Sequence, residues 1–153
     1  MKKMGEISKM LKGRGKLIIT TNGVFDLLHL GHITYLEHAK SLGDVLIVGL
    51  NSDTSVKALK TEKRPIVPEM ERAEVLSALE AVDYVCIFYE RTPLKFLEAV
   101  KPHLHIKGGD YDPDTLPEKQ VVEKFGGKIK IVPFVKGYST TAIIEKILKT
   151  YSK

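Results

Sequence analysis

Short apolar, β-branched stretches alternate along this chain with segments whose apolar positions recur every three or four residues. The first kind of pattern marks strands and the second amphipathic helices. Strands are predicted at Lys16–Thr21, Asp44–Leu50, Tyr84–Phe88, His103–Lys107 and Lys128–Val132. The second is apolar almost throughout, as a parallel strand buried on both faces should be. A helix starting near His29–His32 carries Ile33, Leu36, Ala39 and Leu42 on one face and stops at Gly43. Others are predicted from Pro68 to Ala81, Thr92 to Lys101, Pro117 to Phe125 and Ala142 to Lys149, and a short one over residues 3–12. Val56–Pro68, rich in lysine and proline, reads as a loop. Strand–helix alternation with right-handed crossovers predicts a three-layer α/β fold with a five-stranded parallel sheet covered on both faces. The reading is one domain, 1–153, with residues 1–15 as an N-terminal extension.

Four polar segments (22–32, 51–64, 108–111 and 136–141) each follow a predicted strand and so gather along one edge of the sheet, where open α/β folds bind ligands. In the first, His29-x-Gly31-His32 stands where a strand hands over to a helix. A helix N-terminus presents unpaired N–H groups and the positive end of its dipole, which together attract an anion. The two imidazoles add donors, and Gly31 leaves room for a phosphate against the backbone. Zinc ligation by this pair is disfavoured, because a structural site needs four ligands and the one cysteine, Cys86, falls in a strand that reads as buried. Neither standard phosphate loop is present; Gly13-Arg14-Gly15-Lys16 precedes a strand instead of following one.

The remaining candidates each have a plainer reading beside the functional one. Lys57, Lys60, Lys63 and Arg64 suit mobile phosphate contacts or a solvated charge run. Arg72 either assists there or pairs with Glu69 or Glu71. Gly108-Gly109-Asp110-Tyr111 allows a tight turn and close approach to a ligand, with Asp110 free to accept from hydroxyls or to form an Asx-turn. Ser139, Thr140 and Thr141 open the last helix; a cap needs one hydroxyl, whereas three suit a phosphate. His103 and His105 alternate with apolar neighbours and read as sheet-face residues without chemistry.

Composition narrows the picture. The formal charge is +5, but the lysines are dispersed and aromatic residues are few, so phosphorylated small molecules fit better than nucleic acid. No apolar run approaches the length needed to span a bilayer, and the basic N-terminus lacks a signal peptide's apolar core. A single cysteine excludes an internal disulfide and fits a reducing cytoplasm.

Thr21-Asn22-Gly23-Val24-Phe25-Asp26-Leu27-Leu28-His29-x-Gly31-His32, the following Ala39-Lys40-Ser41-Leu42-Gly43-Asp44, Asn51-Ser52-Asp53, Lys107-Gly108-Gly109-Asp110-Tyr111 and Ser139-Thr140-Thr141 occur in that order. This set resembles the cytidylyltransferase-like branch of the nucleotidyltransferases, over roughly residues 17–148, and most nearly the D-glycero-β-D-manno-heptose 1-phosphate adenylyltransferase domains of ADP-heptose synthases. The chain departs from the glycerol-3-phosphate cytidylyltransferase pattern at Phe134, where those enzymes carry an arginine. The resemblance implies a Rossmann-like (HUP, nucleotidylyl transferase) fold and transfer of AMP from ATP to the heptose phosphate, giving ADP-heptose and pyrophosphate for lipopolysaccharide core synthesis. It implies His29, His32, Lys57 and Lys60 as catalytic residues. For nucleotide binding it implies Asn22, Gly23, Val24, Phe25, Gly31, Arg72, Gly109, Asp110, Ser139, Thr140 and Thr141. Mg²⁺ would be held mainly through ATP phosphates, with no protein metal site. A homodimer, a separate heptose kinase, and no membrane or nucleic-acid partner complete the expectation. The alternatives are a cytidylyltransferase acting on glycerol 3-phosphate or a similar alcohol phosphate, and a non-catalytic nucleotide- or RNA-binding module.

Overall fold

The computed structural model describes residues 1–133, 135 and 137–152. Five parallel strands form one sheet in the order β3-β2-β1-β4-β5. They are β1 (Ile18–Gly23), β2 (Val45–Asn51), β3 (Tyr84–Phe88), β4 (Leu104–Gly108) and β5 (Lys128–Val132). Helix α1 (Lys2–Gly13) precedes β1, and α2 (Leu30–Lys40) links β1 to β2. Helices α3 (Asp53–Leu59) and α4 (Glu69–Ser77) lie between β2 and β3, and α5 (Leu94–Val100) between β3 and β4. Helix α6 (Pro117–Lys124) precedes β5, and α7 (Thr140–Tyr151) follows it. The predicted Rossmann-like architecture is what forms, and the strand order reverses between β1 and β4, which opens a crevice at their carboxyl ends.

Alternation along each strand sends side chains to two separate cores. Ile18, Ile47 and Phe88 pack under α1, α5 and α6 with Phe96, Leu97 and Val100. Ile19, Leu46, Val48 and Ile106 pack under α2 and α4 with Leu36 and Leu76. Every residue of β2 is buried, as its unbroken apolar run requires. Cys86 is only half-buried, because β3 is an edge strand.

The structure corrects several boundaries. Residues 56–68 are not one loop: Ser52 accepts a hydrogen bond from the Ser55 amide and starts α3, which buries Ser55 and Val56. Strand β1 continues through Asn22 and Gly23, which pair with Gly49 and Leu50, so these two residues are ladder positions. Helix α4 ends at Ser77 rather than Ala81. Helix α7 begins at Thr140, two residues before the predicted Ala142, with Ser139 as its N-cap.

Candidate functional site

The span from Asn22 to His32 leaves β1 at the reversal point and enters α2. Phe25 has φ of 47°, a left-handed conformation that bulky residues rarely hold. A side chain on Gly23 would begin 2.9 Å from the Phe25 ring, so glycine there is what lets the ring fold back. The ring then lies 5.3 Å from that of His32, centroid to centroid. His29 is the N-cap of α2 in extended conformation, and no side chain caps that terminus. The His29 and His32 rings stack with centroids 3.9 Å apart, and Tyr138 lies beyond His29 at 6.3 Å. A Cβ on Gly31 would stand 3.0 Å from Tyr138 Cβ and 3.1 Å from His29 Nδ1, so this close arrangement depends on glycine.

Three buried polar atoms in this span have no partner among the described residues: Asn22 Oδ1, His29 Nδ1 and His32 Nδ1. Buried polar atoms are almost always paired, so a cluster of exceptions beside an uncapped helix N-terminus marks a place for a ligand. Burial holds the His29 imidazole below its ordinary pKa. Burial, then the neighbouring His29, lowers His32 to about 4. Both rings are therefore neutral near pH 7, able to donate a proton in a hydrogen bond without prior charge.

These shifts fix a pH dependence of stability. His32, at about 4, and His105, lowered to about 3 by full burial, stay neutral in the folded chain, whereas an unfolded histidine takes up a proton near pH 6.5. Between those values the unfolded state binds more protons, so stability falls as pH falls. Urea midpoints are expected to drop between about pH 7 and pH 5, before carboxylates titrate in the unfolded chain. A flat profile over that window contradicts the buried neutral imidazoles.

Other predicted residues fall into distinct places. Lys57 lies in the last turn of α3 and Lys60 is its C-cap; both are exposed. Neither has an ion-pair partner among the described residues. Gly109 has φ of 129° and donates its N–H to Val132 O, which tucks the turn against β5. Asp110 is exposed, and the Asx role falls instead to Asp112, which accepts from the Asp114 amide. Ser139 caps α7 by accepting from the Ala142 amide, and Thr140 Oγ1 donates to Leu27 O at 3.4 Å. Thr141 is exposed. Phe134 and Lys136 lie outside the described residues.

Arg72 requires correction. It pairs with neither Glu69 nor Glu71 but with Asp53, at 2.7 Å. Its remaining bonds go to the backbone oxygens of Val67, Val24 and Asn51. Its side chain is 0% exposed, so it staples the loops after β1 and β2 together instead of facing a phosphate. Asp26 joins the same two loops from the β1 side. It accepts from Arg64 Nε at 2.6 Å and from the Ile66 and Val67 amides. These hydrogen bonds hold its carboxyl below the usual range despite the opposing effect of burial. The one sequence signal for Asp26 was its place inside the Asn22–His32 motif.

The cytidylyltransferase-like family model matches residues 20–146. The chain is similar to the bifunctional protein HldE of Geobacter metallireducens, 57% identical over 142 residues, which cover 93% of this chain and 29% of that one. It is likewise similar to the bifunctional protein HldE of Nitratiruptor, 52% identical over 92% of this chain and 30% of that one. The chain thus spans less than a third of the length of these curated relatives. Among solved structures, a lipopolysaccharide core biosynthesis protein from Thermoplasma volcanium matches with a TM-score of 0.66 and 35% identity, over 82% of this chain and all of the other.

Proposed function

Since the chain belongs to the cytidylyltransferase-like family of nucleotidyltransferases, we propose that it transfers AMP from ATP to D-glycero-β-D-manno-heptose 1-phosphate, releasing pyrophosphate and supplying ADP-heptose for lipopolysaccharide core synthesis. One observation carries the reading: the stacked, neutral His29 and His32 with unpartnered nitrogens at the uncapped start of α2. The likeness to HldE proteins and to the Thermoplasma protein supports the choice of substrate.

In this mechanism an oxygen of the sugar 1-phosphate attacks the α-phosphorus of ATP. The new P–O bond forms as the bond to the β-phosphate breaks, and pyrophosphate carries away the electron pair. No enzyme group becomes covalently attached, so the protein's task is to align the reactants and stabilise charge moving toward the leaving group. His29 and His32 donate to the α- and β-phosphates, together with the amides of the α2 N-terminus. Gly23, Val24 and Phe25 offer backbone to the nucleotide, and Gly31 admits it. Lys57 and Lys60 reach the triphosphate from α3, while Thr140 and Thr141 approach it from the start of α7. Arg72 and Asp26 are positioning residues. Among the described residues no cluster of three or more His, Cys, Asp or Glu side chains is arranged to hold a metal ion. A Mg²⁺ ion entering with ATP would be held mainly through the phosphate oxygens and would neutralise their charge.

Within this proposal the enzyme is a cytoplasmic homodimer, and a heptose kinase activity supplies its substrate. Among the described residues no helix is long and apolar enough to cross a membrane. The test crosses ATP and CTP against the heptose 1-phosphate and glycerol 3-phosphate, with Mg²⁺, and follows pyrophosphate. Release with ATP and the heptose phosphate alone is expected. Release with CTP and glycerol 3-phosphate instead would move the chain to the alcohol-phosphate branch.

A further inference from the structure

Beside the phosphate site, on the α1/α5/α6 side of the sheet, lies a polar group that the proposed mechanism does not use. Lys107 and Glu118 form an ion pair of 2.6 Å whose side chains are only 18% and 5% exposed. Such a pair is seldom kept for stability alone, since apolar residues of similar volume do as well or better. This one is also incomplete as a structural device. Glu118 Oε2 is buried without a partner, and Lys107 gives one N–H to Glu118 and none to any other acceptor among the described residues.

Its location follows from the strand register. Thr20 on β1 pairs with His105 on β4, and their side chains hydrogen-bond on this face at 2.9 Å. Two residues further on, the same face carries Asn22 and Lys107, at the carboxyl ends of the two strands that flank the crevice. Asn22 Oδ1 is likewise buried and without a partner among the described residues. Tyr111, half exposed, covers the lysine with its ring centroid 5.9 Å from Nζ.

We propose that Asn22, Lys107 and Glu118 form a hydroxyl-reading subsite that takes a vicinal diol of a bound sugar, either the ribose of the nucleotide or the ring of the acceptor. The unused groups on this face are two acceptor oxygens, Asn22 Oδ1 and Glu118 Oε2, together with His105 Nε2 and the free N–H groups of Lys107. A phosphate only accepts and leaves both oxygens unpaired. A hydroxyl accepts from Lys107 and donates to an oxygen, so a pair of hydroxyls satisfies both oxygens. Displacement of the Tyr111 ring gives access. Lys107 is then a substrate-contacting residue, and Glu118 a positioning residue that fixes its ammonium. The assignment rests on the proposed nucleotidyl transfer only for its acceptor arm.

The test compares wild type with Lys107→Met and Glu118→Gln. Calorimetry measures binding of ATP, 2′-deoxy-ATP and 3′-deoxy-ATP, which needs no acceptor. Steady-state kinetics then measure KM for the heptose 1-phosphate and for its ring-deoxy analogues. If the subsite reads ribose, wild type prefers ATP over a deoxy analogue by roughly ten- to a hundredfold, the scale of a hydrogen bond to a charged group, and Lys107→Met brings that ratio close to one. If it reads the acceptor, the ATP ratios stay unchanged while acceptor KM rises by a similar factor and discrimination against the deoxy acceptors disappears. Should CTP prove to be the nucleotide, the same comparison runs with CTP and its deoxy forms, which separates this proposal from the choice of substrate. Should Lys107→Met fail to fold, Lys107→Met/Glu118→Leu removes both charges and is read instead. Unaltered discrimination in both arms, in a folded variant, overturns the subsite.

Discussion

Replacing His32 with alanine should lower turnover by roughly two to three powers of ten, the scale of losing one preorganised donor to a transition-state oxyanion. The ring sits in the first turn of α2, against Phe25 and His29, with Nδ1 buried and unpartnered. A donor held in that way is already desolvated and oriented, so no reorganisation accompanies the arrival of charge. Because its benefit grows as charge moves onto the leaving pyrophosphate, kcat and kcat/KM for ATP should fall together. The fold should survive, since the buried Nδ1 makes no hydrogen bond among the described residues and removing the ring relieves a buried imidazole. Circular dichroism and the melting temperature check that point. His32→Asn, which keeps an N–H donor, should recover part of the loss. His29→Ala should be comparably slow, and the double variant should be less than additive because the stacked rings act as a unit. Near-normal turnover in His32→Ala would remove the imidazole from the mechanism.

Legibility in the sequence divides according to the range of the interaction. The five strands and the Asn22–His32 segment were readable because each is a local pattern: an apolar run, a period, a glycine between two histidines. Strands β3 and β5 match their predicted limits, Tyr84–Phe88 and Lys128–Val132, where Asp83 and Gly127 precede the runs and Tyr89 and Pro133 follow them. Helix α3 was not readable. It is seven residues long, too short for periodicity, and its start depends on one hydroxyl of Ser52 that served equally well as a turn signal. Asp26 and Arg72 were obscured for a different reason. Arg72 finds Val24 O across 48 residues, and Asp26 finds Arg64 across 38. Nothing in local spacing favours those partners over Glu69 and Glu71 on the same helix. Lys107 and Glu118 meet only because α6 packs on α5 and on β5, the strand beside β4, and their pairing carries no sequence signal.

The correction to Arg72 carries the other large expectation: Arg72→Met should destabilise the chain by about 3–5 kcal/mol, the scale of leaving several backbone carbonyls without their donor, since the Asp53 end of the ion pair is partly exposed. Four of its five N–H groups are engaged, three on backbone oxygens and one on Asp53. Removing them orphans the Val24, Asn51 and Val67 carbonyls at once and frees the loops they hold. For a domain of this size that corresponds to a melting temperature lower by about 6–20 °C. Activity should fall too, but by another route than in His32→Ala. Val24 leads into the Phe25 turn that positions His32, and Asn51 precedes the Ser52 cap of α3, which carries Lys57. Losing the staple loosens both sides of the proposed triphosphate site, so KM for ATP should rise as well as kcat fall. Arg72→Lys should recover little, because a single ammonium cannot reproduce a planar fork aimed at four acceptors. Thermal denaturation and ATP kinetics on the same samples decide between the two roles. A variant with an unchanged melting temperature and lost ATP binding would return Arg72 to the ligand; a destabilised one with the KM change fixes it as the residue that holds the site together.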